Sequence, residues 1–266
     1  DGKRVLTGSF DRTVKIWDIR KDDKNIILDS NKAVRSIDVS PDGDRAITVS
    51  GMEAKFWDTT TGKALPTPPL KGHSSRVNTA FFSPDGSMVI TASDDNTSII
   101  WDARTYKQIR TLSGHQAGVN FAALSADGSK AVTTSRDKTA RIWNVKTGEE
   151  IISLEHNASV RLASFGPEGK RLVTCGADAR AFVWDLEQGE IITEGPEKFQ
   201  IVSFSPDGKS ILSDGRHYDH AITWDAETGK TKVKFRGHLL TVFRACYSPD
   251  GERVVTRSSD DTMKIW

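Results

Sequence analysis

Short apolar runs alternate with polar turns along the whole chain. In the clearest copy, the runs at 88–91 and 98–101 are separated by a polar turn at 94–96, and a further run at 77–82 precedes them. Runs of this length, rich in β-branched and aromatic residues and bounded by turn residues, are typical of β-strands. No segment of useful length has the helical period. Four short strands per repeat, with a turn about every ten residues, predict an all-β radial array.

The tryptophans give the period of the pattern. Successive tryptophans are 40, 44, 42, 41, 40 and 42 residues apart. They close seven predicted hairpins, at Trp17, Trp57, Trp101, Trp143, Trp184, Trp224 and Trp266. A Ser-Pro-Asp-Gly segment or a close variant precedes six of the seven hairpins, as at 83–86, and Asp1-Gly2 looks like the remnant of a seventh. These segments predict turns, because proline fixes one φ angle and glycine accepts a positive one. We number the repeats 1 to 7 by these tryptophans.

We letter the four strands of a repeat a to d in chain order. The Ser-Pro-Asp-Gly turn joins a to b, a polar turn joins b to c, and a turn that is often Thr-Gly joins c to d. The chain begins at strand b of repeat 1 and stops at strand c of repeat 7, so we expect the terminal repeats to be incomplete and the chain to be part of a longer one. Strand d of repeat 2 is expected at 65–70, where the prolines fit either an edge strand or a proline-rich ligand.

Repeat 3 opens with Gly72-His73 and closes with Trp101-Asp102. A period near 42 residues between such motifs is the signature of one propeller blade. The chain therefore resembles the WD40-repeat proteins over essentially its whole length. The resemblance implies an all-β fold, a seven-bladed WD40 β-propeller of four-stranded antiparallel blades with incomplete first and last blades. It also implies that residues 1–266 form a single domain.

Four repeats carry a histidine, a threonine, an aspartate and a tryptophan at fixed offsets, with 28 residues from histidine to tryptophan. These sets are His73, Thr91, Asp95 and Trp101; His115, Thr133, Asp137 and Trp143; His156, Thr174, Asp178 and Trp184; and His238, Thr256, Asp260 and Trp266. A hydroxyl, a histidine and a carboxylate could form a catalytic relay. An active site is built once, however, whereas these residues recur. By resemblance to the family, they are structural hydrogen-bonded tetrads.

Repeats 2 and 6 depart from the tetrad pattern. Both lack the histidine, and the turn of repeat 2 also lacks the aspartate, whereas Asp219 could replace it in repeat 6. We therefore predict that these two repeats are locally less stable than the others. His217, Asp219 and His220 also raise the possibility of zinc, but structural zinc needs four ligands and no cysteine lies nearby. A solvated turn is the favoured interpretation.

Composition narrows the classes of function. The net charge of +1 disfavours a nucleic-acid-binding surface, and no apolar run is long enough to span a membrane. The two cysteines indicate no disulfide framework and favour a cytoplasmic, intracellular location. The sequence contains no GxGxxG, GxSxG, CxxC or HExxH motif. We expect no cofactor, no metal and no enzymatic activity.

The family resemblance implies that partners dock where the loops before strand a and the turns between b and c lie. The residues placed there by register are Phe10, Arg35, Arg76, Asn78, Asp94, Arg136, Arg161, Lys198, Gln200, Tyr218, Phe243 and Ser259. Aromatic residues and arginines are enriched in interface hot spots. We expect a rim with an aromatic side in repeats 1, 6 and 7 and a basic side in repeats 2 to 5, suited to acidic and apolar groups.

The sequence thus predicts a non-catalytic scaffold for protein or peptide partners, within a longer chain or a complex. One alternative is a sensor array attached to a kinase or nucleotide-binding domain, because segments such as 61–70 are similar to those in such fusions. A second alternative is a propeller enzyme. No unrepeated cluster of acids, bases or nucleophiles supports that second alternative.

Overall fold

The computed structural model describes residues 4–8, 13–18, 25–30, 33–196, 199–215, 219–248 and 250–266. These residues form β-strands and no helix, so the all-β prediction is confirmed and no membrane-spanning helix occurs among them. The strands are β1 (Arg4–Gly8), β2 (Thr13–Asp18), β3 (Asn25–Asp29), β4 (Ser36–Val39), β5 (Arg45–Ser50), β6 (Glu53–Asp58), β7 (Val77–Phe82), β8 (Met88–Ser93), β9 (Thr97–Asp102), β10 (Gln108–Ser113), β11 (Val119–Leu124), β12 (Lys130–Ser135), β13 (Thr139–Asn144), β14 (Glu150–Glu155), β15 (Val160–Phe165), β16 (Arg171–Gly176), β17 (Ala181–Asp185), β18 (Glu190–Glu194), β19 (Phe199–Phe204), β20 (Ser210–Gly215), β21 (His220–Asp225), β22 (Thr231–Arg236), β23 (Val242–Tyr247), β24 (Val254–Ser258) and β25 (Met263–Ile265).

Consecutive strands pair within each sheet. The described sheets are β1–β3, β4–β6, β7–β10, β11–β14, β15–β18, β19–β22 and β23–β25. Strand b is buried along nearly its whole length in repeats 2 to 5. Strand β8 is an example, because all but the first of its residues are buried.

The prediction of a seven-bladed fold is wrong, because the structure has six blades. The number of repeated tryptophans gives the number of b–c hairpins and not the number of blades. A blade also needs strand a, which forms one edge of the sheet. Among the described residues, strand a is present in six sheets, as β4, β7, β11, β15, β19 and β23. The sheet β1–β3 contains only strands b, c and d.

The expectation of four strands in every complete blade also fails in repeat 2. Its sheet contains only β4, β5 and β6, and the segment after β6 makes two isolated bridges, Ala54 to Leu70 and Trp57 to Ala64. Prolines occupy positions 66, 68 and 69 between these bridges. Because proline has no backbone N–H to donate, the segment cannot complete the ladder of an outer strand.

The Ser-Pro-Asp-Gly segments form the predicted turns between strands a and b. In repeat 3, the Gly86 N–H donates to the Ser83 carbonyl over 2.8 Å, and Gly86 has a φ of 71°. The Ser83 hydroxyl donates to Asp85 over 2.5 Å. A side chain at Gly86 would also come within 3.2 Å of Pro41, so both conformation and space favour glycine there.

The chain separates into two compact units, residues 1–133 with 143–150 and residues 134–142 with 151–266. The single domain over residues 1–266 stays a prediction. In the first unit, the core lies between the sheets β4–β6 and β7–β10, where the rings of Phe56 and Phe82 are 5.9 Å apart. In the second unit, Phe199 stacks on Trp224 between β15–β18 and β19–β22. Apolar faces of successive sheets therefore form the core of each unit.

Candidate interaction surface

The tetrad of repeat 3 is a continuous chain of hydrogen bonds. The Trp101 indole Nε1–H donates to the Thr91 hydroxyl over 2.9 Å, and that hydroxyl lies 2.8 Å from Nε2 of His73. Nδ1 of His73 lies 2.8 Å from the carboxylate of Asp95. The carboxylate also accepts the backbone N–H of Ser74 over 3.0 Å. The tetrad therefore ties the loop before strand a to the turn between strands b and c.

The electrostatics of this tetrad favour a neutral histidine. Burial lowers the pKa of His73, although Asp95 acts in the opposite direction. Burial raises the pKa of Asp95, but the bonds from Thr97 and His73 outweigh it and leave the pKa below its ordinary value. A neutral ring with its proton on Nδ1 donates a hydrogen bond to Asp95 and accepts a hydrogen bond from the Thr91 hydroxyl at Nε2. Every polar side-chain atom of this tetrad then has a hydrogen-bond partner.

Repeat 7 reproduces the complete arrangement. Nδ1 of His238 lies 3.0 Å from Asp260, Nε2 lies 2.7 Å from the Thr256 hydroxyl, and Trp266 donates to that hydroxyl over 2.9 Å. The Leu239 N–H donates to Asp260 over 2.9 Å, as Ser74 does to the aspartate in repeat 3. Two repeats that are distant in sequence thus share one loop geometry.

Repeat 4 shows the bond from Trp143 to Thr133 at 2.8 Å and that from His115 to Thr133 at 2.7 Å. In the turn of repeat 4 the Thr139 hydroxyl donates to Asp137, just as the Thr97 hydroxyl donates to Asp95 in repeat 3.

Repeat 5 differs in its histidine. His156 and Trp184 both bond to Thr174 over 2.8 Å, but Nδ1 of His156 lies 3.2 Å from the Leu154 carbonyl instead of pairing with Asp178. Arg180 occupies the turn position that holds threonine in the complete tetrads, and it pairs with Glu194 at 2.6 Å. The expected histidine–aspartate bond is therefore not formed in this repeat.

Repeats 2 and 6 keep the tryptophan–hydroxyl bond without the histidine. Trp57 donates to Thr48 over 2.7 Å, and Trp224 donates to Ser213 over 2.8 Å. Asp219 is exposed and lies 3.0 Å from Nδ1 of His220, which takes the first position of β21. The described residues include no group of three or more potential metal ligands, and His217 lies outside them.

We call the end of a sheet that carries the loop before strand a and the turn between b and c its loop end. The loop and the turn are joined there by backbone bonds, from Asp94 to Arg76 over 2.9 Å, from Ala177 to Ser159 over 2.7 Å and from Ser259 to Thr241 over 2.9 Å. In these repeats, the predicted rim residues of the loop therefore lie beside those of the turn.

Arg76, Asn78 and Asp94 form one cluster at the loop end of repeat 3. The Arg76 guanidinium donates to one oxygen of Asp94 over 2.7 Å, and the Asn78 amide donates to the other over 2.8 Å. Asn78 also donates to the Val119 carbonyl over 2.8 Å, which links the cluster to β11. Arg76 remains exposed, so the cluster presents a guanidinium to solvent.

The other predicted rim residues fall into two groups. Exposed side chains are found at Arg35, Arg136, Arg161, Phe243 and Ser259. Phe10, Lys198 and Tyr218, together with the side chain of Gln200, lie outside the described residues. The aromatic side of the predicted rim is therefore described only at Phe243, where the Arg257 guanidinium lies 5.0 Å from the ring centroid.

Two exposed residues at the loop end of repeat 7 were not predicted from the sequence. Leu239 and Leu240 follow the Gly-His motif of repeat 7 and are 87% and 54% exposed. The prediction considered only residues that flank the start of strand a or precede the turn aspartate, so it excluded this pair. Comparison of the pair with the matching residues of other repeats, which are polar or small, would have revealed it.

Comparisons with known proteins agree with this architecture. A family model described as the IFT122 first β-propeller matches residues 76–266, and one described as WD domain, G-beta repeat, matches residues 1–18 and 24–58. The chain is 28% identical to the serine-threonine kinase receptor-associated protein of Gallus gallus over 268 residues, which cover all of this chain and 64% of that protein. It therefore spans less than two thirds of the length of that relative.

Two further relatives match parts of the chain. Autophagy-related protein 16 of Arabidopsis thaliana is 34% identical over 116 residues, which are 41% of this chain and 21% of that protein. The U3 small nucleolar RNA-associated protein 15 homolog of Xenopus tropicalis is 30% identical over 105 residues, which are 40% of this chain and 20% of that protein. With the repeated hydrogen-bonded hairpins and a family model that matches most of the chain, these observations establish that the protein belongs to the WD40-repeat β-propeller family.

Proposed function

We propose that the protein is a non-catalytic interaction platform that binds protein or peptide partners at the loop ends of its blades. The proposal rests on a contrast between residues that recur in the repeats and residues that differ between them. The residues that recur between repeats are buried in internal hydrogen bonds, as His73 and Thr91 are, whereas residues that differ between repeats are exposed at the loop ends, as Arg35 and Arg161 are. Specific recognition requires residues that are accessible to a partner and that differ from one repeat to the next.

The tetrads make poor candidates for a catalytic relay. Thr91 is 1% exposed and its hydroxyl bonds to both Trp101 and His73, so no substrate atom can approach it. Thr174 and Thr256 are fully buried and make the same two bonds. A nucleophile must lie within reach of a substrate in an accessible site. We therefore assign the tetrads to the scaffold.

The proposed partners are acidic or mixed acidic and apolar segments. The described loop ends carry four exposed arginines from the predicted rim, Arg35, Arg76, Arg136 and Arg161. Arginine binds carboxylates with paired donors and is favoured at interfaces. The name of the Gallus gallus relative describes association with a receptor, which supports a binding role. Cys175 and Cys246 are both thiols, which supports the proposed intracellular location.

A charge-reversal experiment tests the proposal. The variant R76E/R136E/R161E changes three exposed loop-end arginines, and wild-type and variant proteins are used as bait in extracts of the native source. We expect partners captured by the wild type to be lost, because each substitution turns attraction to an acidic partner into repulsion. Circular dichroism checks the fold, which should persist because exposed ion pairs such as that of Arg76 contribute little stability.

The matched control changes the same charge at the opposite ends of the sheets. The variant K63E/K146E/K230E alters exposed lysines in the turns between strands c and d. It should retain the partners if recognition occurs at the loop ends. Equal capture by the wild type and by R76E/R136E/R161E, or selective loss in the lysine variant, would contradict the proposal.

A further inference from the structure

The outer edge of the sheet of repeat 2 carries a proline-rich segment instead of a strand. The segment joins β6 by two bridges, Trp57 to Ala64 and Ala54 to Leu70. Three positions separate the bridged residues on β6, whereas six separate them on the segment, so residues 65–69 bulge away from the sheet. The outer strands β3, β10, β14, β18 and β22 contain no proline. The prolines at 66, 68 and 69 are therefore particular to this repeat.

Protection of the sheet edge does not account for three prolines. Charged residues or a proline at an exposed edge both disfavour pairing with a strand of another molecule. The outer strands of repeats 4 and 6 remain regular and carry exposed charged residues, such as Glu155 on β14 and Lys234 on β22. Repeat 2 instead loses a strand to its prolines, which indicates a use for them beyond protection of the edge.

The backbone of the segment is held only at its two ends. The Leu65 N–H donates to the Phe56 carbonyl over 3.0 Å, and the Leu70 N–H donates to the Ala54 carbonyl over 2.8 Å. Between these bonds, the carbonyls of residues 66–69 accept no hydrogen bond from any residue that the structure describes. These four carbonyls are therefore available to the donors of a partner.

The sequence of the segment restricts it to extended conformations. Proline fixes its own φ at about −65°, which suits polyproline II, and it disfavours the helical region for the residue before it. Leu65, Thr67 and Pro68 each precede a proline, so every residue from 65 to 69 is restricted in at least one of these two ways. Such a segment loses little conformational entropy when it enters a groove. The chain bends at Pro66 and Thr67, and docking straightens this stretch.

The burial of the segment leaves its prolines toward solvent. Polyproline II has three residues per turn, so residues 64, 67 and 70 share one row and the prolines lie on the other two. Leu70 is 3% exposed and Thr67 is half-buried, which places the first row against the sheet. Pro66 and Pro68 are exposed, and Pro69 is half-buried. The first row therefore anchors the segment, and the prolines remain accessible.

A positive charge follows the prolines. The Lys71 ammonium lies 3.3 Å from the Glu53 carboxylate, and the Lys71 side chain is still 65% exposed. Because an ammonium has three donors, Lys71 can also bind a carboxylate of a partner. Pro66, Pro69 and Lys71 thus give the segment the spacing Pro-x-x-Pro-x-Lys. The lysine makes the two directions of the segment different for a partner.

We propose that residues 66–71 are a docking segment for a partner domain of the SH3 type, whose groove is lined by aromatic side chains and bordered by carboxylates. Pro66 and Pro69 contact the aromatic rings, donors of the groove bond to the free carbonyls, and a carboxylate binds Lys71. The docking segment lies on the outer edge of one sheet and not at the loop ends. The inference therefore goes beyond the proposed function.

Binding of the purified protein to an array of purified SH3 domains, measured by biolayer interferometry, tests the proposal. We expect at least one domain to bind. The variant P66A/P69A should weaken that binding by about 10- to 100-fold, because the apolar contacts of both proline rings are lost. The variant K71E should weaken it by about tenfold, because attraction to a carboxylate becomes repulsion. Circular dichroism should not change, since these residues lie outside the strands.

Matched controls change the same types of residue elsewhere in the same unit. P41A/P84A alters two exposed turn prolines that lack this spacing, and K146E alters an exposed lysine of repeat 4, so both should leave the affinity unchanged. Absence of binding to every domain, or equal binding by P66A/P69A and P41A/P84A, overturns the docking segment. Equal binding by K71E and K146E overturns the contact with a carboxylate.

The variant R76E/R136E/R161E separates this inference from the proposed function. It should bind the SH3 domain as the wild type does, because the docking segment is distant from the changed arginines in the repeat. If it loses the SH3 domain while P66A/P69A retains it, the domain docks at the loop ends. The proposed function then stands, and the docking segment fails.

Discussion

Replacement of Asp38 by asparagine should stabilise the protein at neutral and alkaline pH. Asp38 lies on β4, and its carboxylate accepts the backbone N–H of Phe82 on β7 over 2.8 Å, so it links two successive blades. Burial raises the pKa of Asp38 from 3.8 to about 6, although the bonds from Phe82 and Val39 act in the opposite direction. The surroundings of Asp38 therefore favour the protonated carboxyl group, and the ionised form at neutral pH destabilises the folded state.

The size of the effect follows from the shift in pKa. The difference between a pKa of 3.8 and a pKa of about 6 corresponds to about 3 kcal/mol between the two protonation states. Between pH 4 and pH 6 the folded state binds more protons at Asp38 than the unfolded state does, so stability from this site falls as the pH rises through that interval. An asparagine keeps an oxygen for the Phe82 N–H and carries no charge. Because Asp38 is only partly buried, we expect D38N to gain about 1–2 kcal/mol at pH 8.

Urea denaturation of the wild type and D38N, followed by tryptophan fluorescence at several pH values from 4 to 8, measures this difference. The free energy of unfolding should differ little at pH 4, and the advantage of D38N should increase to a plateau above pH 7. D42N is the control, since the bonds from Ser40 and Asp44 lower the pKa of Asp42 below 3.8, so the stability that this carboxylate contributes is lost only at lower pH and the difference between D42N and the wild type should stay nearly constant from about pH 5 to pH 8. A loss of stability in D38N at pH 8, or a difference independent of pH, would show that the ionised Asp38 carboxylate does not destabilise the folded state.

Two further predictions concern the tetrads. T91V should destabilise the protein by about 2–4 kcal/mol in urea denaturation, because the buried Trp101 N–H and His73 Nε2 both lose a partner, whereas T91S should cost about 1 kcal/mol or less, because serine keeps the hydroxyl as it does at position 213. Equal losses in the two variants would show that the hydroxyl is not the stabilising group. In hydrogen–deuterium exchange, the hairpins of repeats 2 and 6 should exchange faster than that of repeat 3, because they lack the histidine link; equal protection would contradict this.

Local features of the fold follow closely from the sequence. The turns, the hairpins and the tryptophan–hydroxyl bonds depend on residues within one repeat, and turn chemistry and apolar alternation identify them. The number of blades does not follow in the same way. Trp17 marks a hairpin, but a blade also needs the strand that precedes the hairpin, and tryptophan spacing carries no information about that strand.

Features that depend on the residues around a motif were harder to predict. The segment 65–70 has the position of an outer strand, yet its prolines reduce it to two bridges. His156 has the correct spacing for a tetrad but bonds to the Leu154 carbonyl, in a repeat where arginine replaces the turn threonine. The aromatic side of the rim stays a prediction, since only Phe243 among its three residues is described.

We propose that the repeated residues build the scaffold, whereas the exposed, unrepeated loop-end residues bind partners. A mutational scan that measures folded abundance and partner capture separately for every variant tests this division most directly. We predict that substitutions at Thr91 and Trp101 lower abundance and capture together, whereas substitutions at Arg161 and Leu239 leave abundance unchanged and lower capture. Tetrad variants that keep full abundance yet lose capture, or loop-end variants that lose capture only through unfolding, would show that scaffold and binding residues are not divided in this way.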